Sequence, residues 1–499
     1  MENFVNLLNG IELILDIYVL FYCFVGVLIG TFVGVLPGIG VLAAISLLLP
    51  FTYQMPTIAA IVMLAGVYYG AQYGGSIASI LLNLPGTPAS AVACLDGYPM
   101  SKNGKAGIAL FMTAIASFIG AMIGIFVLMI FSEKISNLGL RFGPAEYFLL
   151  MMFGLIASST LVSNSPNKGL SMMVFGLLVS SIGIDINSGI SRFDFGLINL
   201  MNGVSLIVVV MGIFGLVEII KTSNNSSFMT SEKITTKSMM PSFLELKRSL
   251  FPILRGSCIG SFFGILPGTG PTIASFTAYA VEKKISSEPN KFGNGAIEGL
   301  VSSEAANNSA SHTGFIPTLM LGIPGDAVMA IIIAALIMHG VQPGPMMLIH
   351  QNELIWGLIA SFFIGNILLL ILNVPLIGFW ISILRIPYHF LYPSILIFIC
   401  IGVYSVNQNV FDIFSVAVIG IIAYILYNLD FDFVPFLLGF VLGQPMEENF
   451  RRSLLISDGS FMIFFNSFIC LSILSLILIV ILMSIIKFLK IRRINPPVV

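Results

Sequence analysis

Charge is what this chain has least of. Lys, Arg, Asp and Glu make up 9% of its 499 residues, against roughly 25% in an ordinary soluble domain. A soluble protein of this length could not cover its surface with so few. No Lys or Arg precedes Lys102, so the first apolar run lacks the basic region of a cleavable signal peptide and is expected to stay in the mature chain. The formal net charge of −1 leaves no basic domain to neutralise nucleic-acid phosphates. Five cysteines, Cys23, Cys94, Cys258, Cys400 and Cys470, stand singly. They have no CxxC or Cys/His spacing for zinc or a redox pair. The four histidines, His312, His339, His350 and His389, have no HExxH spacing, and no Gly-Lys-Ser/Thr follows the glycine-rich "YGAQYGG". An enzyme, a resident metal and a nucleotide cofactor are therefore not expected.

What is abundant is apolar sequence, with 57% hydrophobic residues. Apolar runs recur at Ile108 to Phe131, Tyr147 to Ser158, Leu197 to Ile220, Leu354 to Trp380 and Phe461 to Ile486. Most match the thickness of a bilayer's hydrocarbon core. They are continuous rather than alternating, which argues against a β-barrel. The expected fold is an all-α polytopic membrane protein of about ten to fourteen segments.

The longest polar stretch, Lys221 to Ser249, reads as a linker between two halves. Residues 1–220 and 250–460 would be repeats, with 461–499 a last membrane helix and a basic tail. Motifs recur in one order across the linker: "GVLPGIG" at Gly34 and "GILPGTG" at Gly264, then "LLNLPGTPAS" at Leu81 and "LMLGIPGDAVM" at Leu319. "LDGYPM" and "MHGVQPGPM" follow more loosely. Short loops rich in Lys and Arg stay cytoplasmic. The break at Pro50 to Pro56 has neither, whereas the next loop carries Lys102 and Lys105. In the second half the order reverses, with Lys283, Lys284 and Lys291 first and an uncharged "GVQPGPMMLIHQ" after. The halves thus read as inverted-topology repeats, with the N-terminus outside. The linker (Lys233, Lys237, Lys247, Arg248) and the tail "KFLKIRR" read as cytoplasmic.

A Pro-Gly pair in an apolar segment frees backbone groups that lipid cannot satisfy, so such breaks must line a cavity or be buried in protein. Broken segments at corresponding places in two halves point to a transporter's binding site. Four occur, at Pro37-Gly38, Pro85-Gly86, Pro267-Gly268 and Pro324-Gly325, and polar residues surround them. Ser76, Ser79, Asn83, Thr87, Ser90, Asn307, Asn308, His312 and Asp326 are candidates to hold a substrate together with Pro85, Gly86, Pro324 and Gly325. Pro37, Gly38, Gly40, Pro267, Gly268, Thr269, Gly270 and Glu304 are candidates for the tips and for a cation. Hydroxyls, amides and freed carbonyls suit Na⁺, and half-helix N-termini suit a carboxylate. Glu304 reads as a functional intramembrane acid or as the cap of a following helix. Asp326 reads as a helix N-cap or a ligand, and His312 as a proton acceptor, a substrate donor or a buried structural residue.

Through "YGGSIASILLNLPGTPASAVACLDGYPMSKNGKAGIAL", "GILPGTGPTIASF", "FGNGAIEGLVSSEAANNSASHTGFIPTLMLGIPGDAVMA" and "HGVQPGPMML", the chain resembles the large membrane subunit (TctA) of the tripartite tricarboxylate transporters. With the segment order, the resemblance extends from about residue 12 to 485. It implies ion-driven uptake of citrate or a related carboxylate across the bacterial inner membrane. It also implies two partners, a periplasmic solute-binding protein and a small four-helix membrane subunit. Ser311-His312 departs from the small residues expected after Glu-Ala-Ala-Asn-Asn. A channel built on the same broken helices is the alternative reading.

Overall fold

The computed structural model describes residues 2–36, 40–161, 166–185, 188–222, 239–383 and 388–494. In the first half the helices are α1 (Glu2–Ile14), α2 (Ile17–Val35), α3 (Val41–Thr52), α4 (Thr57–Leu82), α5 (Ala91–Met100), α6 (Ala106–Gly139), α7 (Pro144–Leu161), α8 (Pro166–Ser180), α9 (Leu206–Val210) and α10 (Val217–Thr222). The second half has α11 (Phe243–Ile265), α12 (Gly270–Ile285), α13 (Ile297–Thr313), α14 (Phe315–Leu321), α15 (Ala327–Met338), α16 (Met347–His350), α17 (Asn352–Asn373), α18 (Ile377–Ile383), α19 (Tyr388–Asn407), α20 (Val410–Asn428), α21 (Phe433–Ile456) and α22 (Phe468–Ile494). The β structure among the described residues is one two-residue antiparallel pairing, Gly183–Ile184 with Ser191–Arg192.

This is an all-α membrane protein. Four helical stretches, Ile17–Val35, Ala91–Gly139, Asn352–Asn373 and Val410–Asn428, are long and apolar enough to cross a bilayer. Shorter apolar helices such as Val41–Thr52 and Ala327–Met338 each follow a Pro-Gly pair in the sequence. Pro37 and Gly38 lie outside the described residues, as do Lys233 and Lys237 of the linker. The basic "KFLKIRR" segment continues α22 rather than forming a separate tail.

The halves repeat in three dimensions. In α2, Gly26, Gly30 and Gly34 lie against the backbone of Met63, Val67 and Ala71 in α4; in α11, Gly256, Gly260 and Gly264 lie against Ser302, Ala306 and Ala310 in α13. The first members of these pairs are 230 residues apart and the second members 239. A Cβ at any of these glycines would collide with the facing backbone, so the four-residue spacing is what lets each helix pair close.

Equivalent helices run in opposite directions. Along α4 and α13, Tyr69 stacks near His312 (centroids 5.4 Å apart), whereas Ser76, further along α4, meets Glu304, further back on α13. The antiparallel crossing agrees with inverted repeats. Basic residues of three predicted loops meet through acids. Lys105 pairs with Glu245 at 3.1 Å, and Arg248 pairs with both Glu288 and Glu298 at 2.7 Å. Lys291 and Arg248 hold the exposed Glu288 carboxyl below the usual range. The capping box of Ser242 and Glu245 starts α11. Asp96 fastens α13, its Oδ1 accepting from the N–H groups of Gly293, Gly295 and Ala296 at 2.8–2.9 Å.

Two helices are almost wholly enclosed. Residues 299–313 of α13, a polar helix, are buried throughout, and so are residues 59–80 of α4. A helix buried on every face belongs to the interior of a bundle, and these two form the middle of the molecule.

Candidate functional site

The first tip follows α4. Asn83 ends that helix in the left-handed conformation (φ 58°), with its N–H bonded to the Ser79 carbonyl at 3.2 Å. Pro85 then prevents continuation. The chain turns back so that Gly86 lies on the Gly34 carbonyl and 2.6 Å separates a would-be Cβ from Gly75 Cα. Thr87 and Ser90 cap one another, the Thr87 N–H donating to Ser90 Oγ at 3.0 Å and the Ser90 N–H to Thr87 Oγ1 at 3.3 Å. Thr87 Oγ1 also donates to Gln72 Oε1 at 3.1 Å, and Ser79 Oγ to Ser90 Oγ at 3.1 Å. Asn83, Leu84 and Pro85 are exposed, whereas Gly86, Thr87 and Ser90 are buried.

The second tip follows α14 in the same way, with Gly322 (φ 69°) where the first has Asn83. Pro324 and Gly325 are buried. The Gly325 carbonyl accepts from the Gly268 N–H at 3.0 Å, so the two breaks of this half touch. Thr269, whose hydroxyl donates to the Phe263 and Leu266 carbonyls, closes the turn before α12. Gly268 and Gly270 both have positive φ (76° and 58°), and a Cβ at Gly270 would press on Asp326 Cβ at 3.0 Å. Gly40 of the first half is the N-cap of α3 and faces open space.

Asp326 does two things. Its Oδ1 caps α15 by accepting from the Met329 N–H at 2.9 Å, and its Oδ2 accepts from the Tyr68 hydroxyl at 2.5 Å. Tyr68 and Gln72 are one turn apart on α4, so a single helix face holds the second tip through one side chain and the first through the other.

Next to the tips runs a polar ladder on α13. Glu304, Asn308 and His312 are spaced four apart and fully buried. Glu304 lies inside the helix and caps nothing. Its Oε2 accepts from Ser76 Oγ at 2.6 Å and from Ser117 Oγ at 3.4 Å. Asn308 donates to the Glu304 carbonyl at 3.1 Å, and His312 Nδ1 meets the Asn308 carbonyl at 2.8 Å. Asn308 Oδ1, His312 Nε2 and both amide atoms of Asn307 are buried with no hydrogen-bond partner. Such groups are costly unless something binds them.

Charge is arranged unevenly. Among the described residues no Lys or Arg is buried. Glu282 is neutralised by Arg255 at 2.6 Å, and Asp96 is held by three backbone donors. Glu304 and Asp326 meet neutral hydroxyl and N–H groups, with no Lys or Arg paired to either among the described residues.

A model of the tripartite tricarboxylate transporter TctA family matches residues 20–438. The chain belongs to this family. It is 43% identical over 496 residues to the "uncharacterized 52.8 kDa protein in TAR-I ttuC′ 3′ region" of Agrobacterium vitis, covering 99% of this chain and 98% of that relative. A second protein of that organism, from the TAR-II ttuC′ 3′ region, is 47% identical over 234 residues, 47% of this chain and 97% of the relative. No solved structure matches. Membership of TctA makes the chain part of a transporter.

The sequence-predicted residues Ser76, Ser79, Gly86, Thr87, Ser90, Glu304, Asn307, Asn308, His312, Pro324, Gly325 and Asp326 are brought into one buried region, with Pro267, Gly268, Thr269 and Gly270 against the second tip. Asn83 faces outward, and its backbone conformation accounts for it. Tyr68, Tyr69, Tyr73, Ser117 and Asn366 were missed. Tyr73 donates to Asn366 Oδ1 at 2.6 Å. The readable signal was the four-residue spacing of Tyr68, Gln72 and Ser76, which places three polar groups on one face of an otherwise apolar helix.

Proposed function

We propose that this TctA-family chain is the large permease subunit of a tripartite, binding-protein-dependent secondary transporter. It imports an organic carboxylate, citrate or a related di- or tricarboxylate, together with Na⁺ or H⁺. It sits in the bacterial inner membrane with its N-terminus outside and its C-terminus in the cytoplasm. Residues 1–220 and 250–460 are the repeats, 221–249 the cytoplasmic linker, and 461–499 the last helix with its basic end. A periplasmic solute-binding protein delivers substrate and a small four-helix subunit completes the complex.

The observation that carries this reading is the charge balance at the joined tips. The half-helices α5 and α15 start there, and their N-terminal dipoles favour an anion. Asn307, Asn308 and His312 offer unpaired donors and acceptors. Glu304 and Asp326 oppose an anion unless a cation or protons arrive with it, and buried charges persist only when compensated. Binding of one ion therefore favours the other, which is the thermodynamic requirement of symport. Release follows when the tips pass, as a unit, from one side of the membrane to the other.

The test is uptake by the complex in proteoliposomes, using labelled mono-, di- and tricarboxylates with and without Na⁺ and with an imposed proton gradient. Saturable, concentrative uptake with counterflow is expected for a di- or tricarboxylate. Non-saturating flux without counterflow would make the chain a channel and overturn the proposal.

A further inference from the structure

Beside the ladder lies a second group of oxygens. A small cleft between α4, α6, α17 and α18 is lined by Tyr73, Ser76, Thr113, Ser117, Asn373 and apolar neighbours including Ile377. Its open space is about 10 Å³, the room of a single water or a dehydrated ion of that size. Ser76 gives its hydroxyl proton to Glu304 Oε2 at 2.6 Å, and Tyr73 gives its own to Asn366 Oδ1 at 2.6 Å. Their lone pairs remain available. Asn373 donates its amide N–H to the Leu369 carbonyl at 2.8 Å, which leaves Oδ1 buried and without a partner. Thr113 Oγ1 is likewise buried and unpartnered.

We infer that this cleft is a Na⁺ site, with Thr113 Oγ1, Asn373 Oδ1 and the Ser76 and Ser117 hydroxyl oxygens as ligands and the Glu304 carboxylate as countercharge behind the two serines. Neutral oxygen donors suit a hard cation. Four of them around a water-sized space, next to an acid with no basic partner, favour a monovalent ion that has shed its water. The ion then neutralises Glu304 and removes the repulsion that a carboxylate at the tips would meet. This deepens the symport reading and rests on it, because it selects Na⁺ over H⁺ and places the ion on the first repeat's side of Glu304.

The experiment is equilibrium binding of ²²Na⁺ to the purified full-length chain in nanodiscs, with choline as the replacement salt. Saturable binding is expected, displaced by unlabelled Na⁺ and not by K⁺. Thr113→Val should weaken it tenfold or more, and Thr113→Ser, which keeps the oxygen, should stay within about threefold of wild type. Asn373→Leu provides the same measurement should Thr113→Val not fold. Absence of saturable ²²Na⁺ binding while carboxylate uptake persists would overturn the cleft and leave the import reading standing. Wild-type binding by folded Thr113→Val and Asn373→Leu would do the same. Saturable ²²Na⁺ binding without any carboxylate uptake would support the cleft and overturn the import reading.

Discussion

The two repeats share a backbone plan but differ in chemistry at equivalent positions. Tyr68, Tyr69, Gln72 and Tyr73 of α4 correspond to Asn307, Asn308, Ser311 and His312 of α13, 239 residues later, and Thr87 corresponds to Asp326. The first repeat's tip is neutral and internally satisfied, with Thr87, Ser90, Gln72 and Ser79 bonded to one another. The second repeat carries Glu304 and Asp326 and, beside them, the unpartnered groups of Asn307, Asn308 and His312. A symmetric scaffold therefore holds an asymmetric site. The first repeat supplies hydroxyls to the second, through Tyr68 to Asp326 and through Ser76 to Glu304.

The comparison breaks most sharply if charge is removed from the second repeat alone. Glu304→Gln should lower uptake more than a hundredfold with expression and folding retained, because the cation loses its countercharge. Comparable uptake by Glu304→Gln and wild type would contradict the assignment. Next is the bond across the repeats. Tyr68→Phe removes a donor to a carboxylate, a bond worth about 1.5–3 kcal/mol. Initial uptake rates should fall by roughly ten- to a hundredfold, and rates within twofold of wild type would argue that the contact is only structural.

Packing effects should be smaller and should appear in stability. Gly86→Ala would drive a methyl group into the Gly34 carbonyl, and such overpacking costs about 1–3 kcal/mol. Thermal unfolding of the purified chain should show a lower midpoint, and an unchanged midpoint would mean that the tip is looser than its geometry. The smallest effect is expected at Asn83. Glycine accepts its left-handed backbone, whereas valine there costs roughly 1–2 kcal/mol. Asn83→Gly should transport like wild type and Asn83→Val should be less stable; a large loss of transport in Asn83→Gly would return this side chain to the site.

Much of this was legible in the sequence. Pro-Gly pairs within apolar runs are a local chemical signal, and the reversed order of lysines fixed the relation of the halves. The structure brings three of the predicted basic stretches together, through Lys105, Arg248 and Lys291 with Glu245, Glu288 and Glu298. What could not be read was which polar groups face each other, because Tyr68 and Asp326 are 258 residues apart. Within "GVYYGAQYGG" the tyrosines pass for apolar residues, and only their pairing across the repeats gives them a role. Glu304 is uninformative on local grounds, since an acid after a polar loop also suits a helix start. Its place inside a buried helix comes from α13 continuing from Ile297 without a break until Thr313. Glycines at four-residue intervals in α2 and α11 were visible as residues, but their meaning depended on the facing backbone.

In the proposed transporter both tips, one neutral and one charged, serve a single carboxylate. Equilibrium binding of a labelled carboxylate that the complex transports tests it most directly, measured on wild type, Thr87→Val and Asp326→Asn in the presence of Na⁺. One carboxylate per chain is expected, with affinity weakened several-fold by Thr87→Val and far more by Asp326→Asn. Two carboxylates per chain, or an affinity that Thr87→Val and Asp326→Asn both leave unchanged, would contradict it.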